Sequence, residues 1–465
     1  MRLMISFALL AGACHARNAA TAKSPAPAAT ATAPALEPGA ELDGPPPAPK
    51  RGDVKRHAHA AAPLDLGRDR PAIPVAMPEA PMGGAVPFQF ADDRGGWVAH
   101  VPGSRQLPAV AYGDGKVFVS GGFEGYEFYA LDAEDGHILW ASQRLEDNGP
   151  TAPTYDEGHV IFNTESCTLF CLDAATGKKL WHKYLGDPTL SQPAVAGGLV
   201  FAAHPSPAGP AFSAYRVRDG EEVWTRTVGG ELLAAPIVDG DSVYVSTIEG
   251  QLFRFARKSG REVWARKIGA TTAPWIAGGE LFVSRRAHGR ETQVVLSTEN
   301  GRTLRAGGAV DAPYLDDVPA SLGDWKQVWA FEGSRPVVLG GVRYVAMGGR
   351  LEASDPATGE SLWLRHYAAG LNSRSLGTIA LAGPAVVVST RAGELFGLDV
   401  DTGYTLWAYH LSHRVTAEPI VARGWIYTAT NDGRVVALNV SDPTLDGWHM
   451  FGGNAQHNGP VAGAM

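Results

Sequence analysis

The chain has little cysteine and no excess of basic residues. Only three of its 465 residues are cysteine, no two of them adjacent, and no Cys or His pair completes a familiar ligand set, so we predict no metal site. The formal net charge of −8 lacks the basic footprint that phosphate binding needs, which argues against nucleic acid as a partner. The Gly-x-Ser-x-Gly motif is absent, and the histidines show no arrangement typical of an activated nucleophile.

Aromatic residues are missing from the N-terminal part of the chain. Residues 15–87 contain no Phe, Trp or Tyr and are rich in Ala and Pro. Such a segment buries too little apolar surface to offset the entropy lost on ordering, so we expect a disordered tether. The apolar run after Arg2 is too short to span a membrane, and residues 1–14 are interpreted as a secretory signal peptide with a candidate lipobox cysteine, Cys14. Acylation of Cys14 and ordinary cleavage nearby are both open.

What the chain does have is a Gly-x-x-x-Trp motif that recurs about every forty residues. A period of this length, built from short strands and turns, is typical of propeller blades with four strands each. The complete copies end at Trp140, Trp181, Trp224, Trp264, Trp363 and Trp407, and a degenerate copy runs from Gly301 to Arg305.

Each copy predicts a tight turn before the outermost strand. The glycine suits a left-handed backbone conformation, and an Asp eight residues before the Trp is placed to accept hydrogen bonds from turn amides. Asp132, Asp173, Asp355 and Asp399 hold that position. The Trp offers a large flat surface that we expect to pack between neighbouring blades.

The blade count is expected to be eight. Residues 418–440 supply three strands of a last blade but no orderly fourth, and Trp97 precedes Trp140 by the repeat length. We therefore predict an all-β, eight-bladed β-propeller of four-stranded blades over residues 88–446, in which an N-terminal strand containing Trp97 closes the ring. Trp448 competes for that place, but we assign residues 447–465 to a C-terminal tail.

The two remaining cysteines lie close together in sequence. On one extended strand Cys167 and Cys171 would stand about 13 Å apart, which is beyond disulfide reach. We interpret Cys171 as a core thiol, because it occupies the apolar position that Ala130 fills in blade one, and Cys167 as a turn residue.

The segment "LDAATGKKLW" resembles the repeat of pyrroloquinoline quinone (PQQ) dehydrogenases and of PQQ-like propellers without the cofactor, and "GWHMFGGNAQHNG" resembles a segment found beside them. The resemblance covers about residues 90–458. Among the cofactor-free proteins it points to the BamB family, lipoproteins that assist the outer-membrane β-barrel assembly machinery. It implies a non-catalytic scaffold, lipid-anchored at the outer membrane facing the periplasm, that binds protein partners and helps deliver unfolded outer-membrane proteins.

Two other functions are open. A PQQ-dependent dehydrogenase, by resemblance, would need Ca²⁺, a carboxylate base and adjacent cysteines against the quinone. The chain has no Cys-Cys pair, and acids such as Asp316 and Asp317 stand in a loop where solvation is usual, so we expect no cofactor. A propeller that binds a small ligand or an extracellular polymer would instead show a deep central pocket with convergent polar groups.

The candidate partner-binding site lies where blade five meets blade six. A basic hairpin tip at residues 284–291 precedes an insertion near 310–334, and both are expected on the same face of the disc. Arginine and tryptophan are favoured at binding hot spots. The alternative is that the arginines pair with aspartates of the insertion while its tryptophans cover the mouth of the propeller. The candidate residues are Arg285, Arg286, His288, Arg290, Trp325 and Trp329.

Overall fold

A computed structural model describes residues 64–446 of the chain, with gaps. The gaps are residues 92–93, 143–144, 167, 187–191, 231, 233–234, 271–273, 288–289, 311–336, 348, 368–375, 391 and 416–418. The signal peptide, Cys14, the tether up to residue 63, Cys167, Trp448 and the tail therefore lie outside the described residues. No helix within the described part of the chain has the length and apolar character needed to cross a membrane.

The N-terminal part contributes four strands and one short helix. These are β1 (Leu64–Asp65), α1 (Leu66–Asp69), β2 (Ile73–Val75), β3 (Ala85–Phe90) and β4 (Arg94–His100).

Eight sheets follow one another around a ring, and consecutive strands of each sheet are antiparallel neighbours. Blade one has β5 (Ala111–Gly113), β6 (Lys116–Ser120), β7 (Phe128–Asp132) and β8 (Ile138–Ala141). Blade two has β9 (Thr154–Asp156), β10 (His159–Phe162), β11 (Thr168–Asp173) and β12 (Lys179–Tyr184). Blade three has β13 (Ala194–Ala196), β14 (Leu199–His204), β15 (Ala211–Arg216) and β16 (Glu222–Thr227). Blade four has β17 (Ile237–Asp239), β18 (Ser242–Ser246), β19 (Gln251–Ala256) and β20 (Glu262–Lys267).

The second half of the ring repeats this order. Blade five has β21 (Trp275–Ala277), β22 (Glu280–Ala287), β23 (Arg290–Ser297) and β24 (Thr303–Val310). Blade six has β25 (Val337–Leu339), β26 (Val342–Met347), β27 (Arg350–Ser354) and β28 (Ser361–His366). Blade seven has β29 (Leu376–Ala382), β30 (Ala385–Thr390), β31 (Glu394–Asp399) and β32 (Thr405–Leu411). Blade eight has β33 (Ile420–Ala422), β34 (Trp425–Ala429) and β35 (Arg434–Asn439), and its fourth strand is β4.

The predicted ring closure is confirmed. Strand β4 pairs antiparallel with β35, with Trp97 opposite Ala437. Trp97 is fully buried, and its Nε1–H donates to the carbonyl of Ala133 in blade one at 3.1 Å. An N-terminal strand thus joins the last blade to the first, and no open edge is left between them.

Strands occur within the segment that was predicted as a tether. The predicted tether reached residue 87, but β1 pairs in parallel with β28, β2 in parallel with β32, and β3 antiparallel with β4. Blades six, seven and eight therefore have five strands each. Leu66 and Val75 are buried at 0% and 1% exposure. The segment is ordered because it completes existing sheets, which its own composition does not reveal.

The turn before each outermost strand joins one blade to the previous one. Asp173 Oδ1 accepts the amide of Thr176 at 2.8 Å, and Gly177 has a φ of 69°. The ring of Trp140 lies directly against Gly177, and its Nε1–H donates to the carbonyl of Ala174 at 3.0 Å. Equivalent indole-to-carbonyl bonds run from Trp181 to Val217, Trp224 to Arg257, Trp264 to Thr298 and Trp363 to Val400. The motif glycine therefore receives the tryptophan of the preceding blade.

The apolar core lies between neighbouring blades. At the contact of blades one and two, Phe128 stacks on Phe162 with ring centroids 4.4 Å apart, and Phe162 stacks on Phe170 at 5.5 Å. Cys171 is fully buried in the next layer, and burial raises the pKa of its thiol to about 12. The thiol at this position is a core group, as its place in the repeat predicted.

Blades five and six carry charged groups that depart from the repeat. Arg305 stands where the other copies have Trp, and it forms a two-pronged ion pair with Glu280 at 2.6 and 2.7 Å. On β26, Arg343 is 4% exposed, and its Nε and Nη2 have no hydrogen-bond partner among the described residues. Burial lowers the pKa of Arg343 to about 10. A charged side chain thus takes the place of the indole on the outermost strand of blade five, and its partner lies in the same blade.

Candidate partner-binding face

The strand order divides the disc into two faces. Hairpins between the second and third strands emerge on the same face as the connections between blades, and we call this the loop face. The turns from first to second and from third to fourth strands form the opposite face, which we call the turn face. Because the loops on the loop face are longer and more varied, it is the side better suited to partner recognition.

The predicted basic hairpin is present on the loop face. Arg285 and Arg286 lie at the end of β22, and Arg290 begins β23, with Arg286 opposite Glu291 and Ala287 opposite Arg290. Arg285 is half-buried, and its backbone forms a bridge with Ala270 in the connection from blade four. All three candidate arginines therefore belong to one hairpin tip. His288, Trp325 and Trp329 lie outside the described residues, so their part of the candidate site stays a prediction.

A group of acidic residues on the loop face was not predicted. Asp147 Oδ2 accepts hydrogen bonds from the hydroxyls of Thr164 and Thr168 at 2.7 and 2.6 Å. Glu165 lies against Gly149, and its carboxylate accepts the amide of Glu124 at 3.4 Å. Burial, with smaller contributions from the charges of Glu124 and Asp147, raises the pKa of Glu165 to about 7, although the hydrogen bond from the Glu124 amide acts in the opposite direction. The three acids come from three different loops, so no local motif marks them.

A shallow depression lies on the turn face near the axis. It has a volume of about 470 Å³ and is lined by the inner turns of blades two, three and four together with Arg257. The Arg257 guanidinium lies against Gly197, and Nη2 is 3.6 Å from Asp241 Oδ1. Asp156 and Asp241 give the lining two negative charges against one positive charge. The depression is open and polar, unlike the deep pocket expected for a small-ligand propeller.

One group of three metal-type ligands occurs in the described part of the chain, at the turn of blade one. Asp132, Asp135 and His137 bring one ligand atom each within 4.8 Å of one another. Asp132 Oδ1 already accepts the amide of Glu134 at 2.8 Å, and Asp135 Oδ1 accepts the amide of His137 at 3.0 Å. These bonds are the turn-stabilising pattern of the repeat.

Arginines two residues after the motif tryptophan cap the outer edge of several blades. Arg226 donates through Nε to the carbonyl of Gly260 in the next blade at 2.7 Å, and through Nη1 to the carbonyl of Thr225 in its own strand at 2.6 Å. Arg266 in blade four and Arg365 in blade six make the same pair of contacts. A Trp-x-Arg pattern in the sequence marks all three and could have been read from it.

Comparison with known proteins identifies the family. A family profile described as outer membrane protein assembly factor BamB matches residues 87–306 and 325–459, which is most of the chain. The chain belongs to the BamB family. BamB of Yersinia pestis is 26% identical over 313 residues, covering 62% of this chain and 73% of the relative. BamB of Burkholderia pseudomallei is 30% identical over 314 residues, covering 57% of this chain and 77% of the relative. The resemblance that the repeat indicated is thereby confirmed.

Solved structures agree on the fold of this BamB-family chain. The crystal structure of BamB from Moraxella catarrhalis matches 76% of the chain and 98% of its own length, with 18% identity and a TM-score of 0.56. Quinohemoprotein alcohol dehydrogenase from Comamonas testosteroni matches 74% of the chain and 76% of its own length, with 15% identity and a TM-score of 0.55. At these identities both show the propeller fold alone, which scaffold proteins and quinone enzymes share.

Proposed function

We propose that this chain is a non-catalytic accessory of outer-membrane β-barrel assembly, exported to the cell envelope and anchored there through Cys14. The observation that carries the proposal is the family match over nearly the whole propeller, with relatives named outer membrane protein assembly factor BamB. A closed ring whose blades are joined by indole contacts is a rigid support for loops. Such a support suits recognition of protein partners.

A quinone-dependent dehydrogenase is the weaker assignment. The likeness to quinohemoprotein alcohol dehydrogenase rests on the fold, with 15% identity, whereas the family profile and the relatives from Yersinia pestis and Burkholderia pseudomallei carry the assembly-factor description. The sequence also lacks the adjacent cysteines that the resemblance to PQQ enzymes would require. A shared fold is weak support for a shared reaction, because function resides in the site.

The partner surface that we propose is the loop face at blades five and six. Arg285, Arg286 and Arg290 form its basic hairpin, and His288, Trp325 and Trp329 complete the candidate set. Arginine's planar fork suits acidic groups of a partner, and the indole rings would add apolar contact area. Protein partners of the envelope, including assembly components and unfolded outer-membrane proteins, fit such a surface.

The test is crosslinking in intact cells followed by mass spectrometry, with the full-length chain as bait. Recovery of outer-membrane assembly components is expected, and exclusive recovery of polysaccharide or of unrelated enzymes would overturn the proposal. A variant with Arg285→Ser, Arg286→Ser and Trp325→Ala should recover less of them. The matched control replaces Arg218 and Arg261, two exposed arginines of the turn face, with serine. Equal recovery from both variants would remove the hairpin from consideration.

A further inference from the structure

The outer edges of the blades accept additional strands in this chain. Strand β2 pairs in parallel with the edge of blade seven, with Ile73 opposite Tyr409 and Val75 opposite Leu411. Val75 is buried at 1% exposure, whereas Ile73 is 40% exposed. An extended segment can therefore dock on the fourth strand of a blade through main-chain bonds and one buried apolar side chain.

Most outer edges are already covered or capped. The N-terminal strands cover blades six, seven and eight. In blade three, Arg226 donates to the carbonyl of Thr225 at 2.6 Å, and in blade four, Arg266 donates to the carbonyl of Ala265 at 2.7 Å. Each bond occupies one carbonyl of the fourth strand that an incoming strand would need. In blade one, β8 has only four residues. In blade five, β24 leads into residues 311–336, outside the described part of the chain.

Blade two has an edge with none of these features. Strand β12 has six residues, and the position of Arg226 is taken by Lys183, whose Nζ lies 5.1 Å from the centre of the Tyr215 ring instead. Within the described residues, the carbonyl of His182, equivalent to that of Thr225, accepts no side-chain hydrogen bond. Thr225 pairs with Ser213 as His182 pairs with Phe170, so the two residues hold equivalent positions in their blades. The carbonyl of Thr225 points to the outer edge of blade three, so the amide and carbonyl of His182 point to the outer edge of blade two.

The side chains beside this edge are apolar and exposed. Leu180 and Tyr184 are 44% and 68% exposed, and the exposed residues of β12 alternate with half-buried ones, with His182 between the two. An incoming strand would cover them best if its own apolar residues alternated. Strands of membrane β-barrels have this pattern, with apolar residues at every second position over about ten residues.

We propose that the edge of β12 is a strand-addition site for an extended, alternating apolar segment of an unfolded outer-membrane β-barrel protein. The site is separate from the basic hairpin of blade five, and the choice of occupant rests on the proposed function. The chain's own Ala- and Pro-rich residues 15–63 fit the edge poorly, since proline cannot donate to a strand pair.

The experiment uses the full-length chain with benzoylphenylalanine in place of Tyr184, and a urea-unfolded porin-type barrel protein diluted into it as probe. Tyr404, 57% exposed in a turn of blade seven, is the matched crosslinking control. We expect at least about a fivefold higher crosslink yield at position 184 than at 404. Crosslinked positions in the probe should fall in its alternating segments.

A second part of the experiment places proline at the edge of the strand. His182→Pro removes the outward amide and should lower the yield at 184 by about tenfold, whereas Thr225→Pro at the capped edge of blade three should leave it unchanged. Thermal melting of each variant checks that the ring is intact. Equal yields at 184 and 404, an unaffected His182→Pro variant, or crosslinks only to a second copy or to the chain itself would overturn the proposal.

Retention of the probe on the immobilised protein is measured in parallel. If the probe is retained but His182→Pro leaves the yield at 184 unchanged, the strand-addition site is wrong and the proposed function stands. If the probe is not retained at all, both are wrong.

Discussion

At the scale of single residues, the motif glycine is constrained twice. Gly177 has a φ of 69°, and a Cβ at this position would lie 2.4 Å from Cε3 of Trp140. Gly198 has a φ of 72°, but no atom lies within 4 Å of where its Cβ would be. The two glycines share a backbone requirement and differ in the contact with the neighbouring blade. Comparing substitutions at Gly177 and Gly198 therefore measures the contribution of the contact with Trp140.

Alanine substitution should separate the two effects. Gly198→Ala should lower the free energy of unfolding by about 1 kcal/mol, because a left-handed conformation penalises a Cβ. Gly177→Ala should lower it by about 2 kcal/mol more, since the Trp140 ring must move out of a packed contact. Urea unfolding followed by tryptophan fluorescence measures both. Equal losses would show that the indole contact contributes nothing.

A second residue-scale prediction concerns pH. Burial raises the pKa of Glu165 to about 7, so the folded chain holds this proton at pH values where the unfolded chain has lost it. The stabilisation is present in full below the ordinary carboxyl pKa and is lost as pH rises to about 7. Relative to Glu165→Gln, the wild type should lose about 1–3 °C of melting temperature between pH 5 and pH 8, a modest shift because the side chain is partly exposed.

Glu146 is the control for that experiment. It lies nearby, and its hydrogen bond with Lys179 lowers the pKa of its carboxyl. The Glu146→Gln variant should still lose melting temperature between pH 5 and pH 8, as the wild type does. If the melting temperature of Glu165→Gln changes with pH as that of the wild type does, Glu165 does not hold a proton in the folded chain at these pH values.

At the scale of strands and blades, the sequence predicts what is local. Hairpins, turn aspartates and the blade count all follow from a repeat whose signals lie within one unit, and the repeat spacing identifies Trp97. The strands β1 and β2 were not predicted, because two or three residues in an Ala- and Pro-rich segment have no period of their own. Their order comes from pairing with strands more than 290 residues away.

The same reasoning applies to the candidate site. Arg285 and Arg286 could be predicted because a hairpin tip is contiguous in sequence. The acidic group of Glu124, Asp147 and Glu165 could not, since three loops bring it together. Arg305 was recognised as a degenerate copy, but its partner Glu280 lies on another strand of the blade.

Docking of β2 can be tested at one position. Val75→Asp should lower the free energy of unfolding by about 2–3 kcal/mol, because it removes a buried valine and places a charge against blade seven. Ile73→Asp, on the same strand and 40% exposed, should change it by less than about 0.5 kcal/mol. Hydrogen exchange at residues 73–75 and 409–411 reports undocking directly. Unchanged protection in Val75→Asp would contradict the role assigned to this side chain.

At the scale of the whole molecule, stability depends on a ring without a free end. Seven tryptophans occupy the repeat position, and blade five has Arg305 there, which forms an ion pair with Glu280 of the same blade. The ring is closed by β4, which belongs to the start of the chain and pairs with β35 from its end. Added strands β1 to β3 lie outside the closed ring, whereas β4 is part of it.

Two N-terminal deletions should therefore differ in kind. Removing residues 1–93 takes away the added strands but leaves β4 with Trp97, so a closed ring should form with a lower melting temperature. Removing residues 1–103 also takes away β4, which strips the Trp97 bond to Ala133 and exposes β35 as an edge. Open edges of this kind favour aggregation, and the longer deletion should be recovered largely as aggregate. Gel filtration and near-ultraviolet circular dichroism measure the outcome, and a monomeric, natively packed 1–103 deletion would show that the ring closes without this strand.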